Sequence, residues 1–150
     1  MTWAEAVAAL RSHLETQWSG SAYAATPLIW ENETYDTDGA GGEFVFVSIE
    51  GVFADKSIYG STGKRSSQEG GIIFFSAFVP QGVGTARAMA LVGAMTGFLE
   101  LQYVGTGIYL EGANPPSPAD SSEVNIPGQQ PGGMYYRVYA SVPFIVVSAR

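Results

Sequence analysis

Residues 71–103 constrain the fold more than any other part of the chain, because they read as a buried strand, a tight turn and a long helix in one continuous unit. The apolar run from Ile72 through Phe75, Phe78 and Val79 predicts a strand over 71–80 that ends at Pro80. Gln81, Gly82, Val83 and Gly84 supply the turn, and Thr85 offers its side-chain oxygen as a helix N-cap. Leu91, Val92, Met95, Phe98, Leu99 and Tyr103 then recur at helical spacing and predict a helix that reaches Tyr103. Ala86, Ala90, Gly93 and Gly97 form a second stripe, of small residues, on the same helix. A glycine costs a helix interior about 1 kcal/mol relative to alanine. Two of them suggest a close backbone contact across Gly93 and Gly97, either with the first helix or with another subunit.

With 150 residues the chain is expected to form a single domain over 1–150, large enough for a core without disulfides or metals. It contains no cysteine, which excludes thiolate chemistry and zinc ribbons. Acidic residues outnumber basic ones 14 to 7, so a general nucleic-acid-binding surface is not expected. The N-terminus lacks the basic start and apolar run of a signal peptide, and no apolar run reaches membrane-spanning length, so a soluble protein made in the cytoplasm is expected. Only 14% of residues are charged while 13% are aromatic, a thin polar cover that favours burying surface against partners.

Thr2 and Glu5 form a capping box, and Trp3, Val7, Leu10, Leu14 and Trp18 place a helix over about 2–18, closed by Gly20. A short strand is expected over 27–30, then an acidic loop, then a strand over 43–50 whose two faces are both apolar enough to be covered. Residues 54–70, rich in Gly, Ser, Lys and Arg, form a candidate functional arm between two strands. A strand over 106–110 precedes a Pro/Ser/Gly-rich loop over 112–133, expected to be extended or mobile. The last strand, 134–147, contains Pro143, where a bulge, an edge or a change of partner is required. With no regular strand-helix-strand repetition, the expected class is α+β: an antiparallel or mixed sheet of about five strands, two helices over one face, and long inter-strand loops.

Motifs for chemistry are incomplete. Gly82-Val83-Gly84-Thr85-Ala86-Arg87 stands where a dinucleotide fingerprint would, but Arg87 replaces the third glycine. Around Gly60-Ser61-Thr62-Gly63-Lys64-Arg65, Ile58 replaces the first glycine of a phosphate loop and Arg65 the magnesium-binding hydroxyl. Asp36-Thr37-Asp38-Gly39 starts like a calcium loop, but Ala40 takes the next ligand position. His13 is the sole histidine and lies off the apolar stripe, toward Ala6 and Ala9, in a surface or interface position. No Gly-x-Ser-x-Gly elbow occurs. No catalytic, metal or cofactor-binding residue is assigned.

Charge is segregated instead. Five of the 14 acids, Glu31, Glu33, Asp36, Asp38 and Glu43, fall within 31–43, and three of the 7 basic residues, Lys56, Lys64 and Arg65, fall in the arm. These are either two solvated loops or two halves of a repeated contact between subunits or with a partner.

The chain resembles the small tail-terminator, or tail-completion, proteins of long-tailed bacteriophages and related gene transfer agents. The segments that carry the resemblance are Phe78-Val79-Pro80-Gln81-Gly82-Val83-Gly84-Thr85 and Val142-Pro143-Phe144, within the helix, strand and arm order described above. The resemblance implies a non-enzymatic virion protein at the head-tail junction, assembled in the host cytoplasm. It would form a homo-oligomeric ring, usually hexameric, that stops tail-tube polymerisation and joins the tube to the head-side connector protein. DNA would pass through the lumen without specific binding. A tube or neck protein of the same virion is an alternative. A small-ligand-binding domain or an enzyme with a pocket between sheet and helices is another, for which no convergent polar groups stand out in the sequence.

Overall fold

The computed structural model describes residues 2–31, 33, 42–55, 66–80, 85–120 and 135–149. Helix α1, Trp3–Ser19, starts from the expected capping box: the Glu5 amide donates to Thr2 Oγ1 at 3.2 Å and the Thr2 amide to Glu5 Oε2 at 2.7 Å. Its buried residues, Ala6, Leu10, Leu14 and Trp18, recur every four positions, so a single narrow stripe faces the core. The indole of Trp18 donates to the Thr26 carbonyl at 2.9 Å and ties the following turn back onto the helix.

Among the described residues, seven strands form one mixed sheet. In chain order they are β1 (Leu28–Trp30), β2 (Phe44–Asp55), β3 (Ser66–Pro80), β4 (Tyr103–Val104), β5 (Ile108–Leu110), β6 (Ser117–Asp120) and β7 (Tyr135–Ala149). The order across the sheet is β1-β2-β3-β7-β5-β4, with β6 also on β7. Only β1 pairs in parallel, with β2; every other ladder is antiparallel. The α+β class and the two helices over one face are as the sequence predicts. The strand count exceeds five because β4 and β6, of two and four residues, are too short to show a period of their own.

Helix α2, Thr85–Leu99, ends short of Tyr103. Leu101 turns the chain out of the helix in a left-handed conformation, φ 55°, and Tyr103 becomes part of β4. Both helices lie on one face, where Leu10, Leu14, Leu91, Val92, Met95 and Leu99 pack on Val45, Val47, Ile73, Phe75, Val142 and Phe144. Gly51 and Gly71, paired across β2 and β3, make room for the Trp3 ring, which stacks on Phe144 at 5.5 Å. A Cβ on Gly71 would stand 2.5 Å from the Glu50 carbonyl oxygen, so the entry of α1 depends on that glycine.

The arm and the long loop are both narrower than expected. β2 continues to Asp55 and β3 begins at Ser66, because the two strands pair well past the apolar stretch; residues 56–65 lie outside the described residues. Within 112–133, β6 pairs with β7, and 121–133 lie outside the described residues. Pro143 does mark a change of partner. β7 keeps an unbroken register with β3, while on its other side β5 covers 144–146 and β6 covers 136–139. Between them the Pro143 carbonyl accepts the Glu111 amide at 2.8 Å.

Candidate subunit interface

Among the described residues, no helix lies on the second face of the sheet. Strand alternation places Phe44, Phe46, Ser48 and Glu50 of β2 there, against Phe78, Ser76, Phe74 and Ile72 of β3, and then Arg137, Tyr139, Ser141 and Pro143 of β7. Phe44 and Phe78 stack at 4.8 Å and form a small second core with Ile29. Arg137 is the cation of this face: its Nε donates to Ser76 Oγ at 3.2 Å, and its guanidinium lies 5.1 Å from the Tyr139 ring centre. Asn114 Nδ2 donates to the buried Ser141 Oγ at 2.7 Å.

Toward the other end of the strands the face is barer. Phe53, Gly70, Ile145, Tyr109 and Tyr103 form one row across β2, β3, β7, β5 and β4. The Phe53 ring lies over Gly70, where a Cβ would come within 2.0 Å of it, and Tyr103 sits 4.9 Å from Tyr109. Phe53 and Tyr103 are both exposed large apolar side chains. The sequence shows both faces of 43–50 as coverable, and helices cover only one. What it does not reveal is which residues share the uncovered row, since that depends on register across five strands.

The ion pairs among the described residues involve α1 and α2. Arg87 of α2 grips Glu43 with two bonds, Nε to Oε2 at 2.8 Å and Nη2 to Oε1 at 2.6 Å, while Thr26 Oγ1 donates to the same carboxylate. The Arg87 hydrogen bond holds the Glu43 carboxyl below its usual range and raises the guanidinium in turn. Arg11 pairs with Glu33 and with Glu15, and lies over the Trp30 ring. Its pKa is raised, mainly by the bond to Glu33.

Of the sequence-predicted interface residues, Glu33 is thus engaged within its own chain. Glu31 is exposed; its amide donates to the Val47 carbonyl and its carboxylate accepts the Ile49 amide at 3.4 Å, so it caps the edge of β2 just past β1. Lys56, Lys64, Arg65, Asp36 and Asp38 lie outside the described residues. Gly93 and Gly97 face open space, with nothing within 4 Å of a Cβ at either, so the small-residue stripe does not pack on α1. The α1–α2 contact runs elsewhere, through His13 Nε2 at 3.0 Å from the Phe98 carbonyl. His13 is thus half-buried in a contact between the two helices of its own chain.

No protein-family model and no curated protein matches the chain. A solved structure 15% identical in sequence, with a TM-score of 0.63, covers 97% of this chain and 96% of that chain. That likeness shows the fold alone. Among the described residues, no helix is long and apolar enough to cross a membrane.

Proposed function

We propose that this protein is a structural component of a phage-like virion: a tail terminator whose copies form a hexameric ring, end tail-tube growth and join the tube to the head-side connector. The observation that carries the reading is the helix-free sheet face, with its aromatic row from Phe53 to Tyr103 ending in exposed side chains at both margins. A monomer gains nothing from the exposed apolar side chains at those margins, and a closed assembly buries them. Of the segments on which the tail-terminator resemblance rests, Phe78 to Pro80 end β3, Thr85 opens α2 and Val142 to Phe144 form the centre of β7, while 81–84 lie outside the described residues.

The work of such a ring is geometric. Head-to-tail contacts repeat one heterologous interface until the rotation closes, and the two ends of the ring present different surfaces to tube and connector. A net charge of −7 suits a lumen through which DNA passes, because like charge keeps phosphates from adhering. No turnover, metal or nucleotide is part of this function.

The test combines sedimentation of the purified protein with electron microscopy of tail tubes polymerised in its presence. Rings in solution or at tube ends, and tubes of limited length, are expected. Tubes that grow unchecked beside a folded protein that binds neither their ends nor itself would refute the proposal.

A further inference from the structure

We infer that the ring contact is a sheet extension, in which the β4 edge of one copy, Leu101 to Val104, pairs with the uncovered edge of β2, Gly51 to Asp55, in a second copy. The inference rests on the ring reading above and adds the surfaces that make it. Three observations lead to it.

The first is that both edges carry unmatched backbone groups. β1 covers β2 only at Val45 to Val47, and Glu31 occupies the next position through the Ile49 amide. The Val45 amide and the Val47 carbonyl both bond toward this edge, so alternation turns Gly51 the same way, with no described strand beside it. At the opposite margin the Leu110 amide bonds the Gln102 carbonyl, which leaves Tyr103 with its own amide and carbonyl directed outward. An uncovered edge is a template for another strand, and β4, only two residues long, offers its unmatched groups at Tyr103.

The second is the chemistry of the two margins. Among the described residues the three most exposed large apolar side chains are Tyr103 at 76%, Leu101 at 65% and Val52 at 61%; Phe53, beside Val52, follows at 48%, as does Val147 on β7. Tyr103 and Leu101 lie at one edge, Val52 and Phe53 at the other. Leu101 is the only non-glycine residue with positive φ among the described residues, and its side chain is not packed enough to account for that backbone. Glycine would be the usual occupant of this turn after a helix. A bulky apolar residue there points to something outside the chain that covers it.

The third is that the two edges fit each other. Phe53 and Tyr103 end the same row of the sheet, one at each margin. Following the ladders from β2 through β3, β7 and β5, β4 runs in the same direction as β2. A neighbouring copy set beside this one in the same orientation therefore adds β4 to β2 in parallel, the mode that β1 already uses on the lower part of that edge. Leu101 then falls beside Gly51, and Tyr103 reaches the Phe53 ring. The contact is heterologous, which is what a ring requires and a two-fold dimer does not.

The test uses two single variants of the full chain, Val52→Lys and Tyr103→Lys, each placing a charge on one edge at an exposed position. Circular dichroism and thermal melting first establish that both fold like the wild type. Sedimentation velocity should then show each variant alone weakened in association by at least about tenfold, as for a central interface residue. An equimolar mixture should give dimers and nothing larger, since each variant retains the edge that the other lacks. Variants that still form wild-type rings would overturn the edge contact and leave the ring reading intact. Wild-type protein that neither self-associates nor caps tubes would overturn both.

Discussion

Replacing both helix glycines, Gly93→Ala and Gly97→Ala, should stabilise the folded monomer. Both residues lie in α2 with nothing within 4 Å of an added Cβ, so no clash opposes the change. Gly93 is mid-helix and should contribute close to the full glycine-to-alanine difference, about 1 kcal/mol. Gly97 lies in the last turn before Leu99, where half of that, about 0.5 kcal/mol, is reasonable. The sum is about 1.5 kcal/mol. A chain of 150 residues shifts its Tm by about 2–4 °C per kcal/mol, so the double variant should melt about 3–6 °C higher. The measurement is a thermal melt by circular dichroism at a dilution where the wild type is monomeric, paired with urea unfolding to check that m is unchanged. An unchanged or lower Tm would refute the reasoning, because it would mean that these glycines relieve a crowding absent from the described contacts. The same variant reports on the stripe itself: a raised Tm with impaired assembly would place Gly93 and Gly97 in a contact between copies.

Gly71→Ala should act in the opposite direction: its Cβ would meet the Glu50 carbonyl oxygen, the Phe144 ring and the Trp3 ring at 2.5, 2.7 and 2.8 Å. A backbone oxygen held in a ladder yields little, so a loss of about 3 kcal/mol or failure to fold is expected in urea denaturation, at the upper end of overpacking costs. Glu43, whose folded pKa is depressed by Arg87, contributes stability that is fully present above its unfolded value, about 4.3, and is lost as pH falls below that through the folded value. Because the Arg87 and Glu43 side chains remain 41% and 24% exposed, the pair should be worth about 1 kcal/mol at most. Stability curves of wild type and Glu43→Gln should therefore differ at neutral pH and converge in acid as the Glu43 carboxylate becomes protonated; a gap unchanged across that acid range would show that charge is not the cause.

Local structure was largely legible in the sequence. The Thr2/Glu5 box, the four-residue recurrence through Leu10, Leu14 and Trp18, and the apolar run before Pro80 each determine an element from residues close in the chain. Such signals survive because helix periodicity and caps depend only on neighbours a turn away. That Pro143 interrupts the pairing was readable for the same reason, since a missing amide is a property of one residue, while the choice of a change of partner over a bulge or an edge came with the sheet. Other features depended on distant parts of the chain. Nothing local distinguishes Tyr103 as the end of a helix stripe from Tyr103 as an edge strand; the turn at Leu101 and the pairing with Tyr109 decide it. The parallel placement of β1, the pairing of Arg11 with Glu33, and the alignment of Phe53 with Tyr103 all follow from register. Register is set only when strands far apart in sequence come together over a shared core. The residue types available for a partner-facing surface were therefore determined by the sequence, while their assembly into one row with two open ends was decided by the tertiary structure.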